Sequence, residues 1–300
     1  MDGQLGSMII YHHNDLDGRC SAAIMSIYAK RVLGCVSLHY KEMDYKDEIN
    51  LEAIGPEDVV AILDFSFKPH IMSEIMSRAK RVIWCDHHVT AKEYGFDKLA
   101  GIRDFNDKGK SGCECTWEYC FSMWDTPNSV KLIGDYDTFR LKMQPTCFEF
   151  YEGLKLESNE PWQLMWESLL GLDEHVDSCS HELFNKIIEG GRTSIKYRDN
   201  YCEGIANKYG YETKIDGHKA FAMNVYGFGS KMFGDKFDKY PVCVAYIIDS
   251  NKVTVSLYSK TVDVSVIAKK FGGGGHKGAA GYVVENVYMH FGNRTEGGGE

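Results

Sequence analysis

The chain of 300 residues has no apolar run approaching the roughly 18 residues that a membrane-spanning helix needs. No basic segment followed by an apolar one opens it, so a secretory leader is not expected. An excess of basic charge is missing as well: 34 Lys and Arg stand against 43 Asp and Glu, a formal charge of −9. Proteins that coat long nucleic acid are normally basic, so a long duplex is not an expected partner. Paired cysteine spacing is also lacking. Ten cysteines are present, but Cys20, Cys35, Cys85, Cys147, Cys179, Cys202 and Cys243 are scattered. Cys113, Cys115 and Cys120 lie closer together, yet no second pair completes a zinc-finger spacing. They read as reduced, packed thiols in a cytoplasmic protein.

What is present is a globular composition, 44% hydrophobic and 26% charged, in a chain long enough for two domains. Gly6-Ser7 just before Met8 reads as the scar of a fusion, so residues 1–7 are set aside and the native chain is expected to start at Met8. Charge is uneven. Between Lys252 and Gly281 there are five lysines (252, 260, 269, 270 and 277) against one acid, Asp263. A local basic segment in an acidic chain fits a compact anionic ligand better than a long polymer.

The first half alternates short apolar runs with helical patterns, which predicts a parallel α/β sheet. Strands are expected at Met8–Tyr11, Val59–Leu63, Arg81–Cys85 and Val130–Ile133, and helices over Cys20–Val32 and from Pro69 to Ala79. Each of these strands runs into Asp or His. Ligands of open α/β sheets bind at the carboxyl ends of the strands, so four such ends would converge on one crevice. From Trp162 to Tyr209 the pattern is helical, with Gly190-Gly191 read as an interruption. Lys219–Val225, Pro241–Asp249 and Lys252–Leu257 read as strands, with a hairpin turn at Ser250-Asn251. Val264–Phe271 reads as a helix that runs into Gly272-Gly273-Gly274-Gly275-His276.

The chemistry-bearing residues sit at those strand ends. His12-His13-Asn14-Asp15-Leu16-Asp17-Gly18 offers two aspartates one residue apart, with Gly18 permitting a tight turn into a helix. Asp64 adds a carboxylate, Asp86-His87-His88 adds another with two imidazoles, and Asp135 or Asp137 completes the set. Each fragment alone has a plain explanation: a turn, a surface histidine pair, a helix cap. Together they make a carboxylate-rich site that is costly unless cations neutralise it. Mixed carboxylate and imidazole donors suit manganese, and less specifically magnesium, iron or zinc.

In this order the motifs resemble the DHH/DHHA1 phosphoesterase superfamily, which includes RecJ-type exonucleases, nanoRNA-degrading and pAp-hydrolysing enzymes, and cyclic-di-AMP phosphodiesterases. The Asp-His-His of the family name is Asp86-His87-His88, its first motif resembles the stretch through Asp15, Asp17 and Gly18, its second is matched by Asp64, and its fourth by Gly134-Asp135-Tyr136-Asp137. The DHHA1 signature is matched by Gly273-Gly274-Gly275-His276-Lys277-Gly278-Ala279-Ala280-Gly281.

The resemblance implies an α/β DHH domain with a parallel sheet over 8–160 and a smaller α/β DHHA1 domain over 211–293, while the sequence pattern reads as a helical connector over 161–210 and a disordered tail at 294–300. It implies two divalent ions, manganese with magnesium as the alternative. One would be held by His12 or His13, with His12 preferred, together with Asp15 and Asp64. The other would be held by Asp17, Asp64, His87 and Asp135. Asp86 would orient a neighbouring ligand, while His88, His276 and the loop Gly273, Gly274 and Gly275 would contact a substrate phosphate.

Two departures stand out. The first-motif histidine of the family commonly lies four residues before the first aspartate, whereas His12 and His13 lie three and two before Asp15. Where related domains often carry Ser-Leu-Arg-Ser, this chain has Ser256-Leu257-Tyr258-Ser259, so Tyr258 is expected to stack on a base or donate its hydroxyl rather than clamp a phosphate. The expected activity is hydrolysis of a short nucleotide or oligonucleotide by metal-activated water, without a membrane partner, with a homodimer left open. A RecJ-like single-strand exonuclease and a catalytically silent nucleotide-binding protein of the same fold are the rivals.

Overall fold

The computed structural model of the chain describes residues 6–106, 108–173, 179–249 and 252–285. The turn read at Ser250-Asn251 and the tail at 294–300 lie outside the described residues. Two compact units divide at Thr193 and Ser194.

The first unit holds β1 (Ser7–His13), α1 (Leu16–Arg31), β2 (Ser37–Met43), β3 (Val59–Leu63), α2 (Pro69–Arg78), β4 (Arg81–Cys85), α3 (Gly112–Phe121), α4 (Asn128–Asp137), α5 (Thr146–Leu154) and α6 (Met165–Leu169). It also holds the first part of α7 (Cys179–Tyr209). Its sheet is parallel throughout, in the order β2-β1-β3-β4. β3 is Val-Val-Ala-Ile-Leu and buried at every position, as a central parallel strand covered on both faces requires. One face packs Ile9, Val60, Ile62 and Trp84 against Met72 and Ile75 of α2. The other packs Met8, Ile10, Ala61 and Ile83 against Ala22 and Met25 of α1.

Two expectations are corrected here. Val130–Ile133 is not a strand but the middle of α4. A short apolar run carries no period of its own, and its length does not separate strand from helix. The fourth strand is instead β2, an edge strand whose exposed His39, Lys41 and Glu42 hide the apolar alternation. Gly190-Gly191 does not interrupt the helix either, because α7 runs unbroken through it. A Cβ on Gly191 would lie 1.7 Å from the Glu149 carbonyl oxygen, and one on Gly153 would lie 1.9 Å from that of Ile187. The glycines let α5 and α7 approach backbone to backbone. Trp166, Leu169, Leu172 and Ile187 accordingly lie in the first unit's core with Phe150 and Leu154.

The second unit continues from α7 into β5 (Tyr211–Ile215), β6 (His218–Met223), α8 (Lys236–Lys239), β7 (Val242–Asp249), β8 (Lys252–Tyr258), α9 (Val264–Lys270), β9 (Gly274–His276) and β10 (Ala279–Val284). Its six strands run in the order β5-β6-β7-β8-β10-β9. All neighbours are antiparallel except β6 and β7. Val264, Ile267 and Ala268 of α9 pack on Val244, Val255 and Leu257 of the sheet. The glycine run is more ordered than a loop. Gly272 takes φ +76 where α9 ends, and Gly274–His276 pair with Ala279–Gly281 as a short hairpin.

The nine cysteines with described side chains are free thiols, and all but Cys120 are buried, which agrees with the packed-thiol reading.

Candidate metal centre

Three strand ends and one helix end supply the site. β1 delivers His13 and then turns at Asp15, which caps α1 by accepting from the Gly18 amide at 2.9 Å. The turn needs glycine, since a Cβ at position 18 would fall 2.3 Å from the His13 carbonyl oxygen. β3 ends at Asp64, β4 at Asp86-His87-His88, and the last turn of α4 carries Asp137.

Asp64 is the centre of the cluster. It is 1% exposed, and its backbone takes φ +53, a left-handed conformation that costs most residues but suits Asp and Asn better than others. Its amide is tied to the Cys85 carbonyl at 2.8 Å, which fixes that conformation between β3 and β4. Around its carboxylate lie His87 Nε2 at 3.1 Å, His13 Nδ1 at 3.8 Å and His88 Nδ1 at 3.9 Å. His87 Nε2 is also 3.3 Å from Asp137 Oδ2 and 3.8 Å from Asp17 Oδ2. His13 Nδ1 hydrogen-bonds Asp15 Oδ2 at 2.8 Å.

Asp17 is fully buried and is held by the N-terminus of α3. It accepts from the amides of Gly112 at 2.7 Å and Cys113 at 2.9 Å, and from the Ser111 hydroxyl at 2.9 Å. A helix N-terminus favours such an anion. Ser111 and Glu114 form a capping box, and Glu114 also accepts from the Arg140 guanidinium at 2.7 Å. Gly112 must be glycine, because a Cβ there would lie 2.5 Å from that of Asp64.

Asp86 faces inward and positions His88. It accepts from Ser66 Oγ at 2.6 Å, from the His87 amide at 2.8 Å and from His88 Nδ1 at 2.8 Å. Burial would raise this carboxyl, but the hydrogen bond and charge of His88, with Ser66, outweigh it and hold it low. For His88 burial works downward, and the bond and charge of Asp86 prevail to raise it. Burial also opposes the charged form of Asp15, yet His13 and the Gly18 amide bring it to about 2. Asp64 and Asp137 go the other way: burial, then Asp17 and Asp15, push both well above the usual carboxylate range.

That imbalance tests whether cations fit. Both carboxylate oxygens of Asp64 are buried and accept no hydrogen bond. Uncompensated buried carboxylates are costly, and divalent cations relieve that cost. Three sets of donor atoms lie within 4.8 Å of one another: His13, Asp15 and Asp64; Asp17, His87 and Asp137; Asp64, His87 and His88. These residues could hold metal, and their oxygen and imidazole donors are the types that manganese accepts.

Two of the expected ligands lie outside the three donor sets. Asp135 is buried, but its Oδ1 and Oδ2 accept from the amides of Lys142 at 3.0 Å and Met143 at 2.8 Å, so it braces the turn after α4. The side chain beside His87 is Asp137. His12, preferred over His13 from the sequence, is 1% exposed, donates from Nδ1 to the His13 carbonyl at 2.8 Å and lies outside the three donor sets. Neighbouring residues of a strand point to opposite faces, so the choice was binary, and His13 has the face with Asp64. The remaining predicted residues are in the second unit. His276 is exposed on β9 opposite Ala279, while Gly273 fits because a Cβ would meet the Gly281 carbonyl oxygen at 2.1 Å. Gly274 and Gly275 pair with Gly281 and Ala280. Tyr258 is half-buried on β8, its ring 5.9 Å from that of Phe233.

Sequence reasoning missed the turn Ser111-Gly112-Cys113 that grips Asp17, and Ser66 behind Asp86. Ser111-x-x-Glu114 was a readable capping-box signal. Nothing in the sequence marks Ser66.

The DHH family N-terminal domain matches residues 7–138, and the DHHA1 domain matches 208–293. The chain therefore belongs to the DHH/DHHA1 phosphoesterase superfamily. An uncharacterized protein of Acanthamoeba polyphaga mimivirus is 26% identical over 302 residues, covering 93% of this chain and 68% of that protein. Among solved structures, the pGpG-specific phosphodiesterase PggH of Vibrio cholerae aligns with a TM-score of 0.51 at 13% identity, over 94% of this chain and 93% of its own. Exonuclease RecJ bound to manganese aligns with a TM-score of 0.50 at 14% identity, over 92% and 85%. At such identities these likenesses are ones of fold. Among the described residues no helix is long and apolar enough to cross a membrane.

Proposed function

We propose that this chain is a phosphoesterase that uses two divalent ions, manganese first, to hydrolyse short nucleotide substrates such as nanoRNA, pAp or a dinucleotide. One observation carries the reading: a buried Asp64 carboxylate without hydrogen bonds, ringed by the donors of His13, Asp15, Asp17, His87 and Asp137. The family's usual activity and the nucleotide phosphodiesterase named among the similar folds support it.

His13, Asp15 and Asp64 would hold one ion, and Asp64, Asp17, His87 and Asp137 the other, with Asp64 shared. Divalent ions bound there supply positive charge for phosphate oxygens and make water a nucleophile near neutral pH. The chain's own residues do the positioning. Asp86 accepts a hydrogen bond from His88 Nδ1–H and favours the charged imidazole, which leaves Nε2 to donate to a phosphate oxygen. Asp17 is fixed in place by three donors of the α3 N-terminus. His276 and the glycine hairpin would offer an imidazole and close-packed amides to the substrate phosphate.

The test is hydrolysis, with manganese, of pAp, di- to pentaribonucleotides, cyclic dinucleotides and a 5′-labelled single-stranded 20-mer, with Asp64→Asn as control. Cleavage of the short substrates, lost in the variant, is expected. Processive degradation of the 20-mer would favour an exonuclease, and no hydrolysis with metal bound would leave a nucleotide-binding protein.

A further inference from the structure

Beside the metal centre stands an aromatic stack that neither the sequence motifs nor the metal chemistry uses. Tyr45 lies in the turn after β2 and is 52% exposed. Its ring lies on Phe65 with centroids 4.9 Å apart and planes 29° apart. Phe65 in turn meets Phe67 edge-on at 5.0 Å, and Phe67 meets Tyr11 edge-on at 5.3 Å. Phe65, Phe67 and Tyr11 are all buried, so the exposed ring rests on a fixed base. The turn is fixed as well. The Asp47 amide donates to the Asp44 carbonyl at 2.9 Å, the Asp44 amide to the Asp47 carboxylate at 2.7 Å, and the Tyr45 amide to the Asp44 carboxylate at 2.6 Å.

The position of this ring is informative. Its centroid is 5.7 Å from that of His13 and 6.0 Å from that of His88. One imidazole belongs to a metal-donor set, and the other is the proposed phosphate donor. A half-exposed aromatic beside a strongly polar, anion-directed site loses apolar contact with water when a flat ring covers it. Nothing in the metal chemistry calls for an aromatic there. The spacing is that of neighbouring groups within one nucleotide, a phosphate and the base attached to the same sugar.

The geometry points to Tyr45 as a stacking platform for the nucleobase next to the phosphate that is cleaved, so that the substrate is a base-bearing nucleotide rather than a bare phosphate or polyphosphate. This rests on the phosphoesterase reading above and narrows its substrate class. Every base presents a π-face, so the platform selects for the presence of a base and tolerates its identity.

The test uses the full chain loaded with manganese, and compares a diadenosine ribodinucleotide with its base-free counterpart. Tyr45→Leu keeps the apolar cover over Phe65 and removes the ring; Tyr45→Trp restores a ring. With Leu, KM for the dinucleotide is expected to rise about 5- to 150-fold, the span measured for single stacking contacts, with kcat unchanged. Trp should return KM to the wild-type range, and the base-free substrate should not distinguish the three proteins. Equal losses on both substrates, or an unmoved KM for the dinucleotide, overturn the proposal. If the wild-type protein hydrolyses neither substrate, the phosphoesterase reading fails. The dissociation constants of AMP and ribose 5-phosphate, measured by calorimetry on the same proteins, then decide the platform separately. A preference for AMP that disappears in Tyr45→Leu supports it, and equal affinities refute it.

Discussion

At the scale of single residues, the cluster is organised by one carboxylate in an unusual backbone conformation. Asp64 sits at φ +53, and Asn tolerates that region as well as Asp does. Asp64→Asn therefore removes the buried charge without straining the turn. In the presence of a chelator the variant should melt higher than the parent, by about 2–4 °C for each kcal/mol of relieved charge burial. Manganese should raise the melting temperature of the parent and leave the variant unmoved. A parent that manganese does not stabilise would refute metal binding at this site. The two aspartates of the fourth motif separate in the same assay. Asp137→Asn should raise the manganese concentration for half-maximal stabilisation at least about tenfold, ~1.4 kcal/mol of affinity, with the fold intact. Asp135→Asn should keep the metal response and lose roughly 1–3 kcal/mol of stability, because its bonds to the Lys142 and Met143 amides are weakened. The reverse pattern would return Asp135 to the centre.

At the scale of elements, the sequence was most readable where an apolar run ended in a charge. β1, β3 and β4, with Asp15, Asp17, Asp64 and His87 beyond them, were legible in this way. It was least readable where an element's period was hidden. Val130–Ile133 looks like a strand when read by itself, and that reading put Asp135 at a strand end. In a helix, residues two apart point roughly 200° from each other, so α4 directs Asp137 toward His87 and Asp135 toward the following turn. The exposed face of β2 concealed a strand, and Gly190-Gly191 looked like a break because a sequence does not show what a glycine packs against.

The glycines supply a test at this scale. Gly191→Ala should destabilise strongly, since the methyl group would meet the Glu149 backbone at 1.7 Å. Gly204→Ala, in the same helix but with nothing within 4 Å, should stabilise by about 0.5–1 kcal/mol. Denaturant midpoints of the two variants are the measurement, and similar effects would show that α5 and α7 do not pack as described. Gly112→Ala should cost about 1–3 kcal/mol and should also weaken the manganese response, because the new methyl group would press on Asp64.

At the scale of the whole molecule, the candidate metal donors belong to the first unit and the exposed His276 to the second. His276→Ala is therefore expected to leave manganese stabilisation unchanged while lowering kcat/KM on a short nucleotide about 100- to 1000-fold, the scale of one lost donor to developing charge. Unimpaired hydrolysis would remove His276 from the proposed mechanism.

Each unit also has sheet edges, and unpaired edges invite other chains to add strands. In the first unit β2 presents charged residues, and the outer side of β4 is occupied by bridges from Ala100 and Arg103. In the second unit β5 alternates Glu212 and Lys214 outward. The opposite edge is β9, three residues of Gly-Gly-His. A strand so short, made of residues with little tendency to form sheets, is a poor template for addition. The hairpin read as a phosphate contact thus also serves solubility: lengthening β9, or replacing its glycines with β-branched residues, would make this edge a site of aggregation.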